Sequence, residues 1–170
     1  MIKKLIYNHC ETFVKSRLLK YNQRSKDLYK SLNSETKSSA GDKHEIGRAM
    51  LQIEREKIGN LIKISEKEHQ TLSKINNNIV LKSVGLGSII VTQEYHYYLA
   101  ISAKKFDFQS KTYYCISKQS PIGSILFGRL KGDVLNFNDK KIKIFCNFLQ
   151  KTVLNLAAKG LRTTTTLGKY

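Results

Sequence analysis

Apolar residues in the first half of the chain recur at steps of three and four, which is the spacing of one face of an α-helix. Between about residues 4 and 76 the sequence contains no proline and few glycines, so nothing interrupts long helices. The apolar positions form two groups: Ile6, Cys10, Phe13, Val14, Leu18, Tyr21, Leu28 and Leu32, then Ile46, Met50, Ile53, Ile58, Leu61, Ile64, Leu72 and Ile75. This pattern predicts two long amphipathic helices.

The two groups of apolar positions are arranged as mirror images about residue 39. Their residue numbers add up to 78 in pairs: Ile6 with Leu72, Val14 with Ile64, Leu28 with Met50, and Leu32 with Ile46. Two antiparallel helices joined by a short connection would set such pairs side by side along one narrow seam, as in a coiled coil. The sequence therefore predicts a helical hairpin over residues 1–76, with its tip near 36–43 and an arm on the order of 40 Å long.

The pattern changes after residues 76–78, which are three asparagines. β-Branched and aromatic residues then dominate, and they predict about five strands in the segments IVLKSVGLGSIIVT, YHYYLAISA, KTYYCIS, DVLNF and KIKIFCNF. The segment IGSILFGRL after Pro121 predicts a short helix. The two halves together predict an α+β protein, in which a small antiparallel β domain over residues 79–150 follows the hairpin. We expect residues 151–170 to form a mobile tail.

Charge is the most unusual property of the composition. Thirty Lys and Arg oppose 13 Asp and Glu, so the 170-residue chain carries +17 at pH 7. Such a field attracts nucleic acid, an anionic membrane or an acidic protein surface. No segment approaches the roughly 18 apolar residues of a membrane span. Cys10, Cys115 and Cys146 are widely spaced and form no CxxC pair, so we expect buried thiols in a cytoplasmic protein.

Two acidic residues occupy the predicted tip, in the segment SSAGDKHEIGRA of residues 38–49. Asp42 and Glu45 have the spacing of a capping box, in which the first residue caps the helix and the second reaches back to the amide of the cap residue. Carboxylates are also the oxygen ligands that Mg²⁺ prefers, but Mg²⁺ requires about six oxygens and a helix N-terminus disfavours a cation. A metal at this tip would therefore need further ligands from a partner. Both roles remain open from the residues alone, because a carboxylate has several lone pairs.

Two motifs, one in each predicted domain, resemble those of a known family. The tip has the pattern GDxxE at residues 41–45. The second domain carries Ser120-Pro121-Ile122-Gly123 within the segment SPIGSILFG, followed by a Gly-Asp pair at residues 132–133. A helical hairpin with the first motif, followed by a β domain with the second, resembles the GreA/GreB family of bacterial transcript cleavage factors. The resemblance covers roughly residues 5–150.

The resemblance implies an FKBP-like fold for the C-terminal domain and a binding role for its second motif. In the family, this domain docks on bacterial RNA polymerase at the rim of the secondary channel. Ser120, Pro121, Ile122 and Gly123 match the motif and would lie at the polymerase-binding surface. The chain would then work as a monomer that contacts nucleic acid, DNA included, within the elongation complex.

The resemblance also implies a catalytic role for the tip. In the family, the hairpin enters the channel and its acidic tip helps the polymerase hold a second Mg²⁺, so that water attacks the RNA phosphodiester in a backtracked complex. Asp42 and Glu45 match the two acidic positions and would share the metal with the polymerase. The protein would hold no metal tightly by itself, and it would be an accessory factor that stimulates the polymerase without being an enzyme alone.

The sequence departs from the family directly after the acidic pair. Family members commonly continue with E-N-A-E-Y, where this chain has Glu45-Ile46-Gly47-Arg48-Ala49. One acid and one aromatic residue are therefore absent, and an arginine is present. The alternative is a regulator that occupies the secondary channel and inhibits the polymerase without stimulating cleavage, with Arg48 contacting a phosphate.

Two other classes of function, and a structural role for the second motif, remain open. An FKBP-like domain suggests a prolyl isomerase, although the chain has no Trp and the aromatic pocket of those enzymes cannot be placed on it. A free-standing RNA or DNA binder would show a steeply salt-dependent affinity. A Ser-Pro pair is also a common start of a short helix, so residues 120–123 can shape a turn without touching a partner.

Overall fold

Two long helices precede a small sheet domain in the computed structural model, which describes residues 2–35, 42–79 and 81–147. Helix α1 spans Ile2–Glu35 and helix α2 spans Asp42–Ser73. The predicted hairpin is therefore confirmed, and α2 ends three residues before the predicted boundary at residue 76. Residues 36–41 of the predicted tip lie outside the described residues. The predicted tail at 151–170 lies outside them as well. Within the described part, no helix combines the length and the apolar character that crossing a membrane requires.

Two ion pairs join the helices of the hairpin. Arg17 Nη1 lies 2.9 Å from Glu68 Oε2, and Arg24 Nη2 lies 2.6 Å from Glu54 Oε1. The arginine that comes later in α1 pairs with the glutamate that comes earlier in α2, so the two helices run antiparallel. Partial burial raises the pKa of the Glu68 carboxyl, against the opposing effect of the Arg17 charge. Such pairs contribute little to the free energy of folding when they are exposed, but they favour one alignment of the two helices.

Of the four mirror pairs predicted from the residue numbers, the pair of Ile6 with Leu72 has both residues buried. The other three pairs are wrong. Ile46, Met50 and Ile64 are 54%, 66% and 51% exposed, although their proposed partners Val14 and Leu28 are buried. The apolar positions of α2 form two stripes that differ by one residue, which is a rotation of about 100° around the helix. The stripe that faces α1 contains the least exposed positions of α2: Leu51, Glu54, Ile58, Leu61, Ser65, Glu68 and Leu72. Only one stripe can face α1, so the other remains in solvent.

The described part of the sheet domain contains seven strands and one short helix. A five-stranded sheet has the order β3-β4-β2-β1-β7, and β5 and β6 form a separate two-stranded sheet. The elements are β1 (Ser88–Val91), β2 (His96–Ala100), β3 (Phe106–Phe108), β4 (Lys111–Ser117), α3 (Pro121–Leu126), β5 (Val134–Phe137), β6 (Lys140–Lys143) and β7 (Cys146–Asn147). The α+β class is confirmed.

The large sheet is mixed, which corrects the prediction of an antiparallel domain. β2 and β4 run parallel, with Tyr97 beside Tyr114 and Leu99 beside Ile116. Strand β3 lies between them in the chain and pairs antiparallel with β4 at the edge of the sheet. The sequence pattern missed β3 because a strand of three residues is too short to show a period. The predicted strand KIKIFCNF divides at the buried Ile144 into β6 and β7, which belong to different sheets.

Each face of the large sheet is covered by a different part of the chain. One face packs against the base of the hairpin, and its core contains Ile6, Cys10, Val14, Leu72, Ile75, Ile89, Tyr98, Ala100, Ile101, Tyr113 and Cys115. The other face packs against α3 and the small sheet, and its core contains Val84, Ile90, Tyr97, Leu99, Ile116, Leu126, Leu135 and Ile144. The hairpin is therefore attached at its base, and its distal part extends away from the sheet.

Candidate functional site

The distal end of the hairpin holds the predicted acidic pair. Helix α2 begins at Asp42, and Glu45 is exposed one turn later. Residues three apart lie on the same side of a helix, so the backbone places these two residues next to each other. The side chain of Asp42 lies outside the described part, and the predicted capping box stays a prediction. Leu72 is buried at the base, and the 30 residues from Asp42 to Leu72 correspond to about 45 Å of helix.

A groove lies beside Glu45, between the two helices. It measures about 540 Å³, and its walls include Tyr29 on α1 and Arg48, Gln52 and Arg55 on α2. Arg48 and Arg55 are both exposed. Among the side chains that the structure describes, neither arginine forms an ion pair. The groove thus combines one carboxylate with two cations and an aromatic ring.

The described part of the chain contains no complete set of metal ligands. Among the described residues, no three His, Cys, Asp or Glu side chains form a group that could hold a metal. Asp42 and Glu45 could supply two carboxylates, whereas Mg²⁺ requires about six oxygens. A Mg²⁺ ion at this pair would therefore need further oxygen ligands beyond these two carboxylates.

The predicted polymerase-binding residues form the first turn of α3. Ser120 Oγ accepts a hydrogen bond from the N–H of Gly123 (3.1 Å) and donates one to the carbonyl oxygen of Ser117 (2.7 Å), so it caps the helix. Pro121 is at the start of the helix, where no N–H is needed. Ile122 packs against the core of the second face. Gly123 is buried, and a Cβ there would overlap the Ser117 carbonyl. All four residues therefore shape the turn.

The Gly-Asp pair at residues 132–133 also has a structural role. Asp133 Oδ2 accepts a hydrogen bond from the N–H of Leu130 (2.9 Å), and the carbonyl of Asp133 accepts one from the N–H of Ile144 (2.9 Å). These bonds join the turn after α3 to the end of β6. Gly132 has a φ of +96°, which favours glycine.

An exposed apolar surface lies next to the capped turn, and we call it the α3 surface. It consists of Pro121, Phe127 and Leu130, which are all exposed, together with Lys118, whose Nζ lies 3.9 Å from the centre of the Phe127 ring. The sequence pattern did not point to Phe127, Leu130 or Lys118. The helical period of α3 could have indicated Phe127 and Leu130, because Ile122, Ile125 and Leu126 face the core and the residues that follow do not. No sequence signal indicated Lys118.

Two of the predicted buried thiols meet at the base of the hairpin. Cys10 on α1 and Cys115 on β4 are both buried and free, and the hydrogen bond between them, together with burial, raises the pKa of Cys10. The hydroxyl of Tyr98 is buried nearby without a hydrogen-bond partner. The side chain of Cys146 lies outside the described residues. The thiol pair thus packs as part of the core between α1 and the sheet.

Comparison with solved structures gives a partial likeness. No model of a known protein family matches the chain, and no curated protein matches it either. A solved structure described as "Structure of the transcription factor Gfh1" matches with 21% sequence identity and a TM-score of 0.33, over 79% of this chain and 90% of that chain. At this TM-score the superposition carries no argument about function, so the proposals below rest on the residues and on the geometry described above.

Proposed function

We propose that this protein is a transcription factor that binds bacterial RNA polymerase and stimulates transcript cleavage in backtracked complexes. The observation that carries the proposal is the position of Asp42 and Glu45. They lie together in the first turn of α2, separated by about 45 Å of helix from Leu72 in the core. A slender hairpin of this length fits a narrow channel, and its acidic end would be the first part to reach a metal-containing active centre.

The chemistry requires the acidic residues to act with a partner. Mg²⁺, when bound, would activate the attacking water and stabilise the leaving oxygen of the RNA phosphodiester. Asp42 and Glu45 would contribute up to two oxygen ligands, and the carboxylates of the polymerase would supply others. The ion pairs of Arg17 with Glu68 and of Arg24 with Glu54 support this role, because they keep α2 aligned with α1 along the arm.

Docking would involve the α3 surface at the other end of the molecule. Exposed apolar residues next to a cation are a suitable centre for a protein interface. Pro121 would make contact as part of this surface. Ser120 and Gly123 would act indirectly, because the hydrogen bonds of Ser120 set the position from which Phe127 and Leu130 are presented. The resemblance places polymerase binding in this motif, and the geometry favours the neighbouring α3 surface as the part that makes contact.

The groove at the distal end favours one second candidate function. Arg48 and Arg55 lie beside Glu45, and neither has a carboxylate partner among the described residues. Arginine binds phosphate through two parallel hydrogen bonds. A hairpin that carried these cations into the secondary channel would compete for nucleotide or RNA phosphate and slow the polymerase. This candidate is a channel-blocking inhibitor that does not stimulate cleavage.

A transcript cleavage assay with the cognate polymerase tests the proposal. Stalled, backtracked complexes would be incubated with Mg²⁺ and with either wild-type protein or the double variant Asp42→Asn/Glu45→Gln. We expect the wild type to accelerate cleavage and the variant to leave it at the rate of the polymerase alone. Glu56→Gln is the matched control, because Glu56 is an exposed acid farther along α2. Cleavage that the double variant stimulates as strongly as the wild type contradicts the proposal.

Two further measurements separate binding from chemistry. The double variant Asp42→Asn/Glu45→Gln should still bind the polymerase. Phe127→Ala/Leu130→Ala should weaken this binding. Val134→Ala should not, although Val134 is at least as exposed as Phe127 and Leu130. Slower nucleotide addition with wild-type protein, without stimulated cleavage at any Mg²⁺ concentration, would select the inhibitor. In that case Arg48→Ala should relieve the inhibition.

A further inference from the structure

A cluster of three tyrosines lies on the large sheet, outside both motifs. Tyr97 on β2 and Tyr114 on β4 are direct neighbours in the parallel pair, and Tyr95 precedes β2 on the same face. The ring centres are 5.5 Å apart for Tyr95 and Tyr114, 6.1 Å for Tyr95 and Tyr97, and 6.2 Å for Tyr97 and Tyr114. Tyr97 is buried, but Tyr95 and Tyr114 are 43% and 39% exposed. The two outer rings thus offer aromatic surface to solvent.

Hydrogen bonds hold this aromatic surface in place. Thr92 Oγ1 accepts a hydrogen bond from the N–H of Tyr95 (3.1 Å) and donates one to the carbonyl oxygen of Tyr95 (2.9 Å), which closes the turn between β1 and β2. Tyr97 lies beneath, where burial raises its pKa to about 12. A tyrosine phenol is neutral at physiological pH even at its ordinary pKa, so Tyr97 adds no negative charge under a bound anion.

The small sheet forms the opposite wall of a cleft next to the tyrosines. The cleft measures about 440 Å³, and its lining includes Phe137, Asn138, Lys140 and Lys141 from the small sheet and Gln93 from the turn before β2. Two contacts cross it. Lys140 Nζ lies 3.4 Å from both carboxylate oxygens of Glu94, and Gln93 Oε1 accepts a hydrogen bond from the N–H of Lys143 (2.8 Å). The walls are therefore fixed before any ligand binds.

We propose that the tyrosine cleft, which is lined by Tyr95, Tyr97, Phe137, Lys140 and Lys141 and continued by the exposed ring of Tyr114 against Tyr95, binds single-stranded RNA. Unpaired bases stack on exposed aromatic rings, and lysines at the rim bind the phosphates that follow. Lys141 is exposed and, among the described residues, has no ion-pair partner. The chain carries +17 overall, which attracts a polyanion to the cleft.

RNA fits the cleft better than a protein segment or DNA. An apolar peptide would cover the rings but leave Lys141 unpaired. The amides of Gln93 and Asn138 are exposed in the same cleft, and neutral donors and acceptors of this kind bind the ribose 2′-hydroxyl. This proposal does not depend on the polymerase, because the cleft is complete in the isolated chain.

Fluorescence anisotropy with a labelled twelve-residue oligouridine RNA tests the proposal in the absence of polymerase. Tyr95→Ala/Tyr114→Ala should weaken binding by about tenfold or more, since stacking contributes about 1–3 kcal/mol per base. Tyr95→Phe/Tyr114→Phe should bind like the wild type, because the rings remain. The matched control is Tyr21→Ala, which removes a partly exposed ring on α1 that lines neither the cleft nor the distal groove. Lys141→Gln should lower the slope of log affinity against log salt by about one.

Several results would overturn the proposal. One is that the wild type does not bind at physiological salt, and another is that Tyr21→Ala loses as much affinity as the double alanine variant. A third is that the double alanine variant keeps its affinity while its circular dichroism spectrum is like that of the wild type. If double-stranded RNA competed for the protein as strongly as single-stranded RNA does, the binding would be due to charge attraction without stacking of bases. Binding of oligothymidine DNA as tight as that of RNA would contradict the assignment to RNA. None of these outcomes bears on transcript cleavage, which the polymerase assay measures separately.

Discussion

Replacing Gly123 with alanine tests the structural role of the capped turn. Gly123 is buried in α3, and a Cβ at this position would overlap the carbonyl oxygen of Ser117 and lie 2.7 Å from Ser120 Oγ. The Ser117 carbonyl is backbone and cannot rotate away from the new atom. The turn that Ser120 caps would therefore have to open.

The expected loss of stability follows from three contributions. Overpacking of this kind costs about 1–3 kcal/mol, and displacement of the Ser120 cap costs about 1 kcal/mol. The better helix propensity of alanine returns about 1 kcal/mol. The net change is a destabilisation of about 2 kcal/mol, which lowers the urea midpoint by about 1 M if the slope is about 2 kcal/mol/M.

Urea denaturation followed by circular dichroism measures this change, with Gly59→Ala as a control of opposite sign. Gly59 is inside α2, and no heavy atom lies within 4 Å of the position of its Cβ. We expect Gly59→Ala to stabilise the protein by about 1 kcal/mol through helix propensity alone. A Gly123→Ala variant as stable as the wild type would refute the argument. Weakened polymerase binding by a variant of unchanged stability would assign Gly123 a direct contact.

Two further predictions concern the hairpin and the sheet. Leu28→Ala should destabilise the protein by about 2–4 kcal/mol because Leu28 is fully buried, whereas Met50→Ala at an exposed position should change stability by no more than about 0.5 kcal/mol. If both variants lost the same stability in urea denaturation, the result would support the mirror pairing of Leu28 with Met50. Burial, with the nearby charge of Lys111, lowers the pKa of His96, so the folded state binds this proton less readily than the unfolded state. Stability should therefore fall as the pH decreases through the ordinary histidine range, and a pH series of thermal melts should show a smaller decrease for His96→Gln.

Much of the architecture follows from local patterns in the sequence. Uninterrupted apolar steps of three and four residues require long helices, and a break of three asparagines followed by β-branched and aromatic residues marks the start of the sheet domain. Ser120 and Pro121 likewise indicate the start of α3, because capping depends on neighbours within one turn. Local periodicity was sufficient for these elements since each is stabilised mainly by contacts within itself or with an adjacent element.

Other features depend on contacts between residues distant in the chain, and only the tertiary structure decided them. The apolar positions of α2 form two possible stripes, and the choice between them depends on the rotation of α2 against α1. The parallel pairing of β2 with β4 depends on a three-residue edge strand that has no pattern of its own. The meeting of Tyr95 with Tyr114, and of Cys10 with Cys115, brings together side chains that no sequence spacing relates. A one-dimensional pattern gives the face on which a residue lies, whereas packing in three dimensions selects the partner of that face.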